Sequence, residues 1–231
     1  MIRRLVLWDI DGTLVDSAKL GRAAFVDAFE RVTGRPPAQL VPFAGRTDLE
    51  IALDLLECAG LTPDAALLER FGTELERAMA DRAPEVRARG RPYPGARESL
   101  ERLAREPAVV QSLLTGNIAP NAVVKLGAFG LDALVDLEIG AYGSDDRHRS
   151  RLVAVALAKC ERKHAATLSA RDVVLVGDTP LDVAAAREGG ARSVAVATGP
   201  FAAHELAAAG ADVVLPDLRD TEAVAAAVLA D

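Results

Sequence analysis

Two carboxylates that could share a cation, Asp9 and Asp11, stand directly after the apolar residues 5–8. The apolar run predicts a buried strand, so both side chains are expected to leave its end together. Burial disfavours two charged carboxylates this close unless a metal ion, a basic side chain or a shared proton compensates them. Gly12 permits close backbone approach, and Thr13 adds a hydroxyl. A plain Asp-Gly turn has the same composition, so partners elsewhere in the chain decide between the two interpretations.

Two further predicted strands end in polar residues. Residues 109–114 lead into Thr115, Gly116 and Asn117, which place a hydroxyl, a flexible backbone and an amide at the start of a helix. This combination suits phosphate oxygens, although a turn with a helix cap has the same composition.

Residues 173–176 lead into Asp178 and Asp182, with a Pro between them that suits the first turn of a helix. Open parallel sheets bind ligands at the carboxyl ends of their strands. We therefore expect Asp9, Thr115 and Asp178 to converge at one edge of a sheet. This convergence argues against the alternative that the three polar motifs are unrelated turns.

The elements that position these residues follow a strand and helix alternation. Short apolar runs predict strands at residues 2–8, 109–114, 134–139, 173–176, 193–197 and, as an edge, 212–215. Amphipathic segments predict helices at residues 96–105, 120–129, 150–163, 180–188, 204–209 and 221–229. This order predicts an α/β fold with a parallel sheet.

Residues 17–91 interrupt the alternation with helical spacing and no convincing strand. Helices are predicted there at residues 18–33, 48–59 and 63–83. We expect a small helical domain inserted after the first strand, here called the helical insert, and a core made of residues 1–16 and 92–231. Arg87, Arg89 and Arg91 are interpreted as a solvated linker rather than a substrate contact.

The overall composition is that of a globular enzyme. The chain has 231 residues, of which 50% are hydrophobic and 26% charged. A net charge of -7 argues against a nucleic-acid surface. Asp9 and Asp11 interrupt the only apolar stretch near the start, so neither a signal peptide nor a membrane span is predicted. We expect a cytoplasmic protein that binds neither nucleic acid nor membrane.

The polar motifs together resemble those of the haloacid dehalogenase superfamily, phosphatase branch. The resemblance lies in the order and spacing of residues 9–13, 115–117 and 177–182. The resemblance spans nearly the whole chain and includes a helical cap between the first two motifs, as in phosphoglycolate phosphatase-like members. It implies a Rossmann-like α/β core with an inserted α-helical cap. It also implies a small phosphorylated substrate.

The resemblance implies that Asp9 attacks phosphorus and becomes an aspartyl phosphate, which water then hydrolyses. Asp11 would protonate the leaving oxygen and later deprotonate the water, a dual role that calls for a raised pKa. Magnesium (Mg²⁺) would be held by the Asp9 side chain, the Asp11 backbone carbonyl and Asp178. Thr115 would donate to a phosphoryl oxygen, and Asp182 would orient the metal site or a basic residue. Further substrate-binding candidates in these motifs are Gly12, Thr13, Gly116 and Asn117.

The chain departs from the family pattern at its basic residue. Most relatives carry a Lys roughly thirty residues before the last aspartates, whereas residues 144–151 contain no lysine. Arg149 matches best by spacing, and Arg147 is close behind and a substrate-binding candidate. Lys125 is a third candidate, although we favour its interpretation as a surface lysine of a helix. The cationic role stays open among these three residues.

Substrate choice is expected to lie in the helical insert. Gly45 and Arg46 resemble a cap loop that reaches into the site, and Arg46 is predicted to contact the leaving group. The alternative interpretation is a helix start capped by Thr47.

The type of reaction is narrowed by the residues present. The presence of Asp11 argues against dehalogenase activity, because displacing a halide needs no proton donor. The insert holds no His and only Lys19, which favours hydrolysis over a phosphomutase reaction. A non-catalytic relative is the third possibility, and either a monomer or a homodimer fits the sequence.

Overall fold

The computed structural model describes residues 2–230. Its strands, in chain order, are β1 (Arg4–Trp8), β2 (Val15–Asp16), β3 (Arg91–Pro92), β4 (Val109–Leu113), β5 (Val173–Gly177), β6 (Arg192–Val196) and β7 (Val213–Leu215). Its α-helices are α1 (Leu20–Thr33), α2 (Asp48–Cys58), α3 (Ala65–Asp81), α4 (Ala83–Arg89), α5 (Ala96–Leu103), α6 (Ala119–Gly127), α7 (Arg151–His164), α8 (Pro180–Gly189), α9 (Ala203–Ala208) and α10 (Thr221–Leu229).

One parallel sheet organises the core, with the strand order β4-β1-β5-β6-β7. Successive side chains of β1 point to opposite faces of this sheet. Val6 and Trp8 pack in the apolar cluster that includes residues of α5 and α10. Leu5 and Leu7 pack in a second cluster with residues of α7 and α8. The predicted α/β fold with a Rossmann-like parallel core is confirmed.

The register of the sheet aligns the strand ends that carry the polar motifs. Trp8, the last residue of β1, lies opposite Leu113 of β4 and Val176 of β5. The residues that follow these three positions therefore emerge at the same edge of the sheet.

The strand predicted at residues 134–139 is wrong. Short 3₁₀ turns occupy Asp132–Leu134 and Leu137–Ile139 instead. The Asp136 carboxylate accepts a hydrogen bond from the Glu138 amide at 3.1 Å and caps the second turn, while the Asp136 amide donates to the Gln111 carbonyl of β4 at 2.8 Å. An isolated bridge between Leu114 and Ala141 continues the pairing with the sheet beyond these turns.

Helices α1 to α4 occupy the helical insert and share an apolar cluster of their own. Its large side chains include Phe25, Phe29, Leu55, Phe71 and Met79. This separate cluster supports the domain division at residues 17 and 91, which stays our proposal. The linker expected around Arg87 and Arg89 is instead helix α4, with both side chains exposed.

The short strands β2 and β3 join the insert to the core. They pair antiparallel, with Val15 opposite Pro92 and Asp16 opposite Arg91. Arg91 also forms an ion pair with Asp16 at 3.0 Å. The two passages of the chain between core and insert therefore run side by side.

Within residues 2–230, the helices all fall short of the length and apolar character required to cross a membrane.

Candidate active site

Asp9 lies at the carboxyl end of β1, with a side chain that is almost fully buried. Its backbone amide donates to the carbonyl of Val176 on β5 at 2.9 Å, which fixes the strand end. Its Oδ1 atom accepts a hydrogen bond from Nη2 of Arg149 at 2.8 Å. Of the three basic candidates, the structure brings Arg149 to the predicted nucleophile.

Arg149 precedes α7 and is itself buried. Its Nη2 atom also donates to Asp182, and its Nη1 atom donates to the carbonyl of Gly45 in the helical insert at 3.2 Å. The guanidinium therefore joins two core carboxylates to the insert. The Arg147 side chain, in contrast, is exposed and donates to His148 at 3.1 Å, away from Asp9.

The interpretation of Lys125 as a surface lysine of α6 is wrong. Only 3% of the residue is exposed. Its ammonium donates to the Asp11 carboxylate and to Oδ1 of Asn117, the latter at 2.6 Å. The insert covers this face of α6 closely, since a Cβ atom at Gly21 of α1 would lie 3.2 Å from Nζ of Lys125.

Asp11 accepts hydrogen bonds from three side chains. Besides Lys125, they are Nδ2 of Asn117 at 2.9 Å and the hydroxyl of Ser17 at 3.0 Å. Burial acts to raise the pKa of Asp11, but the Lys125 ammonium and these hydrogen bonds outweigh it and lower the pKa below its ordinary value. The raised pKa expected for this residue is therefore contradicted in this arrangement.

Asp9, Asp178 and Asp182 form a buried acidic cluster in which ligand oxygens lie within 4.8 Å of one another. Burial raises the pKa of Asp9 to about 6, although the Arg149 charge opposes the shift. Burial also raises the pKa of Asp178 well above its ordinary value, with further contributions from Asp182 and Asp9. One guanidinium faces three carboxylates, so the cluster carries uncompensated negative charge.

Asp178 provides an unsatisfied ligand atom in this cluster. Its Oδ1 atom accepts from the Thr13 hydroxyl at 3.1 Å, whereas its buried Oδ2 atom has no hydrogen-bond partner among residues 2–230. A Cβ atom at Gly12 or Gly199 would collide with this carboxylate, so both positions need the absence of a side chain. An unpaired, buried carboxylate oxygen between two glycines fits a small divalent cation that prefers oxygen ligands.

Asp182 is held by donors on both of its oxygens. Oδ1 accepts from Arg149, and Oδ2 accepts from the Thr179 amide at 3.0 Å and the Thr179 hydroxyl at 2.7 Å. The Thr179 hydroxyl in turn accepts from the Asp182 amide, which forms a capping box at the start of α8. This arrangement positions Arg149 against Asp9.

Thr115, Gly116 and Asn117 follow β4 at the same edge of the sheet. The Thr115 hydroxyl accepts from Nδ2 of Asn117 at 2.8 Å, so the two side chains support each other beside Asp11. A Cβ atom at Gly116 would overlap the backbone carbonyl of Arg46, because the insert approaches the core at this point.

A loop of the insert, residues 43–48, closes over this edge through several hydrogen bonds. The Asp48 amide donates to the Gly116 carbonyl at 2.7 Å, and Oδ2 of Asp48 accepts from the Ile118 amide at 2.8 Å. The Thr47 hydroxyl donates to the carbonyl of Arg147 at 2.9 Å. Burial raises the pKa of Asp48 to about 7, against the opposing charge of Lys125.

Sequence reasoning missed Asp48. An acidic residue in the first turn of a helix is common for purely local reasons, so no signal in the sequence distinguished it.

Arg46 directs its guanidinium toward α2 and not toward the predicted nucleophile. It donates to Glu50 at 2.9 Å, to Asp54 at 2.7 Å and to the carbonyl of Pro42 at 3.2 Å. Its contact with a leaving group stays a prediction.

The predicted nucleophile and the insert enclose a cavity of about 570 Å³. Its insert side includes the apolar rings of Phe25 and Phe43 and the exposed cations of Lys19 and Arg22. The guanidinium of Arg22 lies 5.4 Å above the Phe43 ring. The cavity therefore combines an acidic end at Asp9 with an apolar and basic end at α1.

Comparisons with known proteins agree with this geometry. The family described as haloacid dehalogenase-like hydrolase matches residues 6–187. Phosphoglycolate phosphatase 1 of Pseudomonas aeruginosa is 29% identical, over 94% of this chain and 78% of its own length. A phosphoglycolate phosphatase of Synechococcus elongatus is also 29% identical, over 93% of each chain.

Two solved structures show the same fold. A hydrolase from Pseudomonas syringae superposes with a TM-score of 0.69 at 23% identity, covering 96% of each chain. CbbY from Rhodobacter sphaeroides, solved in complex with phosphate, gives a TM-score of 0.67 at 18% identity, covering 95% of this chain and 96% of its own.

Proposed function

Since the chain belongs to the haloacid dehalogenase-like hydrolase family, in its phosphatase branch, we propose that it is a magnesium-dependent phosphatase of a small phosphomonoester. The reaction runs through an aspartyl phosphate on Asp9. The observation that carries the proposal is the buried contact between Arg149 and Asp9, at 2.8 Å, beside the acidic cluster.

Asp9 is the nucleophile. One of its carboxylate oxygens forms the bond to phosphorus while the bond from phosphorus to the leaving oxygen breaks. A carboxylate needs no base to activate it, and its pKa of about 6 keeps most of it ionised at neutral pH. Arg149 orients the carboxylate and offsets part of the charge of the incoming phosphoryl group. The Thr115 hydroxyl and the residues Gly12, Thr13, Gly116 and Asn117 surround the phosphoryl oxygens.

Asp11 transfers the protons. In the first half of the reaction the protonated fraction of Asp11 gives its proton to the leaving oxygen, and in the second half the resulting carboxylate takes a proton from the attacking water, which restores the acid. The ion pair with Lys125 favours the carboxylate form, which is the form that accepts the proton of water. Lys125 and Asn117 thus position Asp11 and set its proton affinity.

Magnesium fits the oxygen donors at the acidic cluster. The Asp9 side chain, the Asp11 backbone carbonyl and Asp178 would hold it, and the unpaired Oδ2 of Asp178 supports this assignment. When bound, the ion supplies positive charge that stabilises the phosphoryl oxygens.

The leaving group is small and anionic. Lys19 and Arg22 bring two positive charges to the insert side of the cavity. Relatives named phosphoglycolate phosphatase suggest a phosphorylated carboxylic acid as the first substrate to test. Gly45, Arg46 and Arg147 remain proposed contacts of the leaving group.

The direct test measures phosphate release from a panel of phosphomonoesters, with magnesium and with a chelator present. We expect release that depends on magnesium and is lost in Asp9→Asn, with a labelled aspartyl phosphate trapped on the wild type alone. Full activity of Asp9→Asn, or formation of a phosphate isomer without free phosphate, would contradict the proposal.

A further inference from the structure

Asn121 lies in the first turn of α6 and lines the same cavity, yet no motif of the sequence includes it. Only 3% of the residue is exposed. Its Oδ1 atom is buried and has no hydrogen-bond partner among residues 2–230. Leaving a buried amide oxygen unpaired costs free energy, so an atom of this kind calls for a missing partner.

The neighbouring polar side chains do not supply that partner. Lys125 stands one helical turn after Asn121 on the same face of α6, but its ammonium donates to Asp11 and Asn117. Asn117 in turn donates to Asp11 and Thr115. These side chains form hydrogen bonds with one another. The Asn121 carboxamide lies beside them, and its oxygen accepts no hydrogen bond from them.

The position of Asn121 separates it from the groups that handle phosphate. The residues that surround the predicted nucleophile follow the strand ends, whereas Asn121 lies on α6, on the stretch of the cavity beside Lys125 that Gly21 of the insert approaches. A ligand whose phosphoryl group sits at Asp9 would extend its leaving group into this stretch.

We infer that Asn121 binds a hydroxyl group on the leaving group of the substrate. The inference rests on the proposed phosphatase function and narrows its substrate class to phosphomonoesters with a second, free hydroxyl. A carboxamide offers an acceptor and a donor side by side, and a hydroxyl is both donor and acceptor, so the two groups match. Asn121 is therefore a specificity-determining residue.

The test uses two phosphomonoesters that differ by one hydroxyl: 2-phosphoglycerate and 2-phospholactate. Both carry a carboxylate, so the cations of the cavity act on them alike. We expect the wild type to favour 2-phosphoglycerate by about tenfold to a hundredfold in kcat/KM, because 2-phospholactate leaves the buried Asn121 oxygen without a hydrogen-bond donor.

The variant Asn121→Leu keeps the branched shape of the side chain and removes the carboxamide. We expect it to lose most of this preference, through a fall in kcat/KM for 2-phosphoglycerate with less than a threefold change for 2-phospholactate. Its melting temperature should equal or exceed that of the wild type, because an unsatisfied polar group has been removed from the interior. Asn121→Gln, which retains a displaced carboxamide, should show an intermediate preference.

A purely structural role would give a different pattern. If a bound water satisfies Asn121, the Leu variant should melt at a lower temperature and lose activity equally on both compounds, which would overturn the inference. Binding of each compound to the Asp9→Asn protein, measured by calorimetry, provides a readout that does not need turnover.

The outcomes also separate this inference from the function on which it rests. Phosphate release with no hydroxyl preference overturns the inference alone. Absence of phosphate release from the whole panel overturns the proposed function and the inference with it.

Discussion

Nη2 of Arg149 donates to Oδ1 of Asp9 at 2.8 Å, and the same nitrogen donates to Asp182. Burial acts to lower the pKa of Arg149, but Asp182 and Asp9 outweigh it and raise the pKa above its ordinary value. The positive charge beside the proposed nucleophile is therefore permanent at every pH at which the protein is folded. A guanidinium also spans two carboxylates in a fixed plane, which a single ammonium does not.

Replacing Arg149 should impair both stability and activity. Arg149→Met removes the guanidinium that pairs with Asp9 and Asp182 in the buried acidic cluster, and breaking a buried ion pair costs about 3–5 kcal/mol. We expect that loss in the free energy of unfolding, measured with urea, and a fall in kcat of about a hundredfold or more. Arg149→Lys should recover part of both losses.

The matched control for Arg149 is Arg151, two residues later, whose side chain is 67% exposed and pairs with Asp146 at 3.3 Å. Arg151→Met should change stability by less than about 0.5 kcal/mol. Equal effects of the two substitutions would contradict the role given to Arg149.

Magnesium should stabilise the folded protein through Asp178. At about one hundred times the dissociation constant, the ion should add roughly 2.7 kcal/mol, or about 5–10 °C in Tm. Asp178→Asn should abolish most of this shift, whereas Asp217→Asn, outside the acidic cluster, should retain it.

The rise in Tm caused by magnesium should also depend on pH. Asp9 and Asp178 have raised pKa values, so protons compete with the metal in acid. Calorimetric scans should show a larger magnesium effect at pH 8 than at pH 5, and a pH-independent effect would argue against a carboxylate site.

Removing Lys125 should change the proton affinity of Asp11. Burial raises the pKa of Asp11, and the Lys125 ammonium is the largest group opposing it, so Lys125→Met should raise that pKa. In the profile of kcat/KM against pH, the limb that Asp11 controls should move to higher pH. An unchanged profile, or a move to lower pH, would show that Lys125 does not act through Asp11. Lys159→Met, which removes an ion pair with Asp145, serves as the control.

Asp48 should make stability fall as pH rises. Its pKa is about 7 in the folded protein and near 3.8 when unfolded, so the folded state binds more protons between these values. The contribution of Asp48 to the free energy of unfolding therefore falls from about pH 4 to pH 7 and is constant above it.

The matched variant for this effect is Asp48→Asn, which does not titrate but can still accept from the Ile118 amide. Between pH 5 and pH 8 the wild type should lose roughly 2.7 kcal/mol more than this variant, because two pH units separate pH 5 from the Asp48 pKa of about 7. Urea unfolding of both proteins at the two pH values measures the difference, and parallel losses would rule out the effect. Titrating groups that do not interact with Asp48 cancel because both proteins contain them.

The convergence of Asp9, Thr115 and Asp178 was predictable because it follows from the sheet alone. Parallel strands end at one edge, and short apolar runs followed by polar residues are local patterns. The 3₁₀ turns at Asp132–Leu134 and Leu137–Ile139 were not predictable in this way, since the apolar residues of this segment match a strand and the Asp136 side chain caps the second turn.

The burial of Lys125 and Asp48 could not be predicted from local sequence patterns. Each stands on a helix whose own sequence suggests an exposed position, and each is buried because the helical insert closes on the core. Which helix covers which face depends on contacts between residues far apart in the chain. The Ile118 amide, for example, meets Asp48 across 70 positions.

The pairing of β2 with β3 brings the two ends of the helical insert next to each other, with Val15 opposite Pro92. An insertion whose ends are adjacent closes a loop in the core at a conformational cost that grows only slowly with its length. We therefore expect that segments of different size can be exchanged at this point during evolution while the sheet and its acidic edge are retained. The same junction is the natural place to build chimaeras that carry the insert of one phosphatase on the core of another.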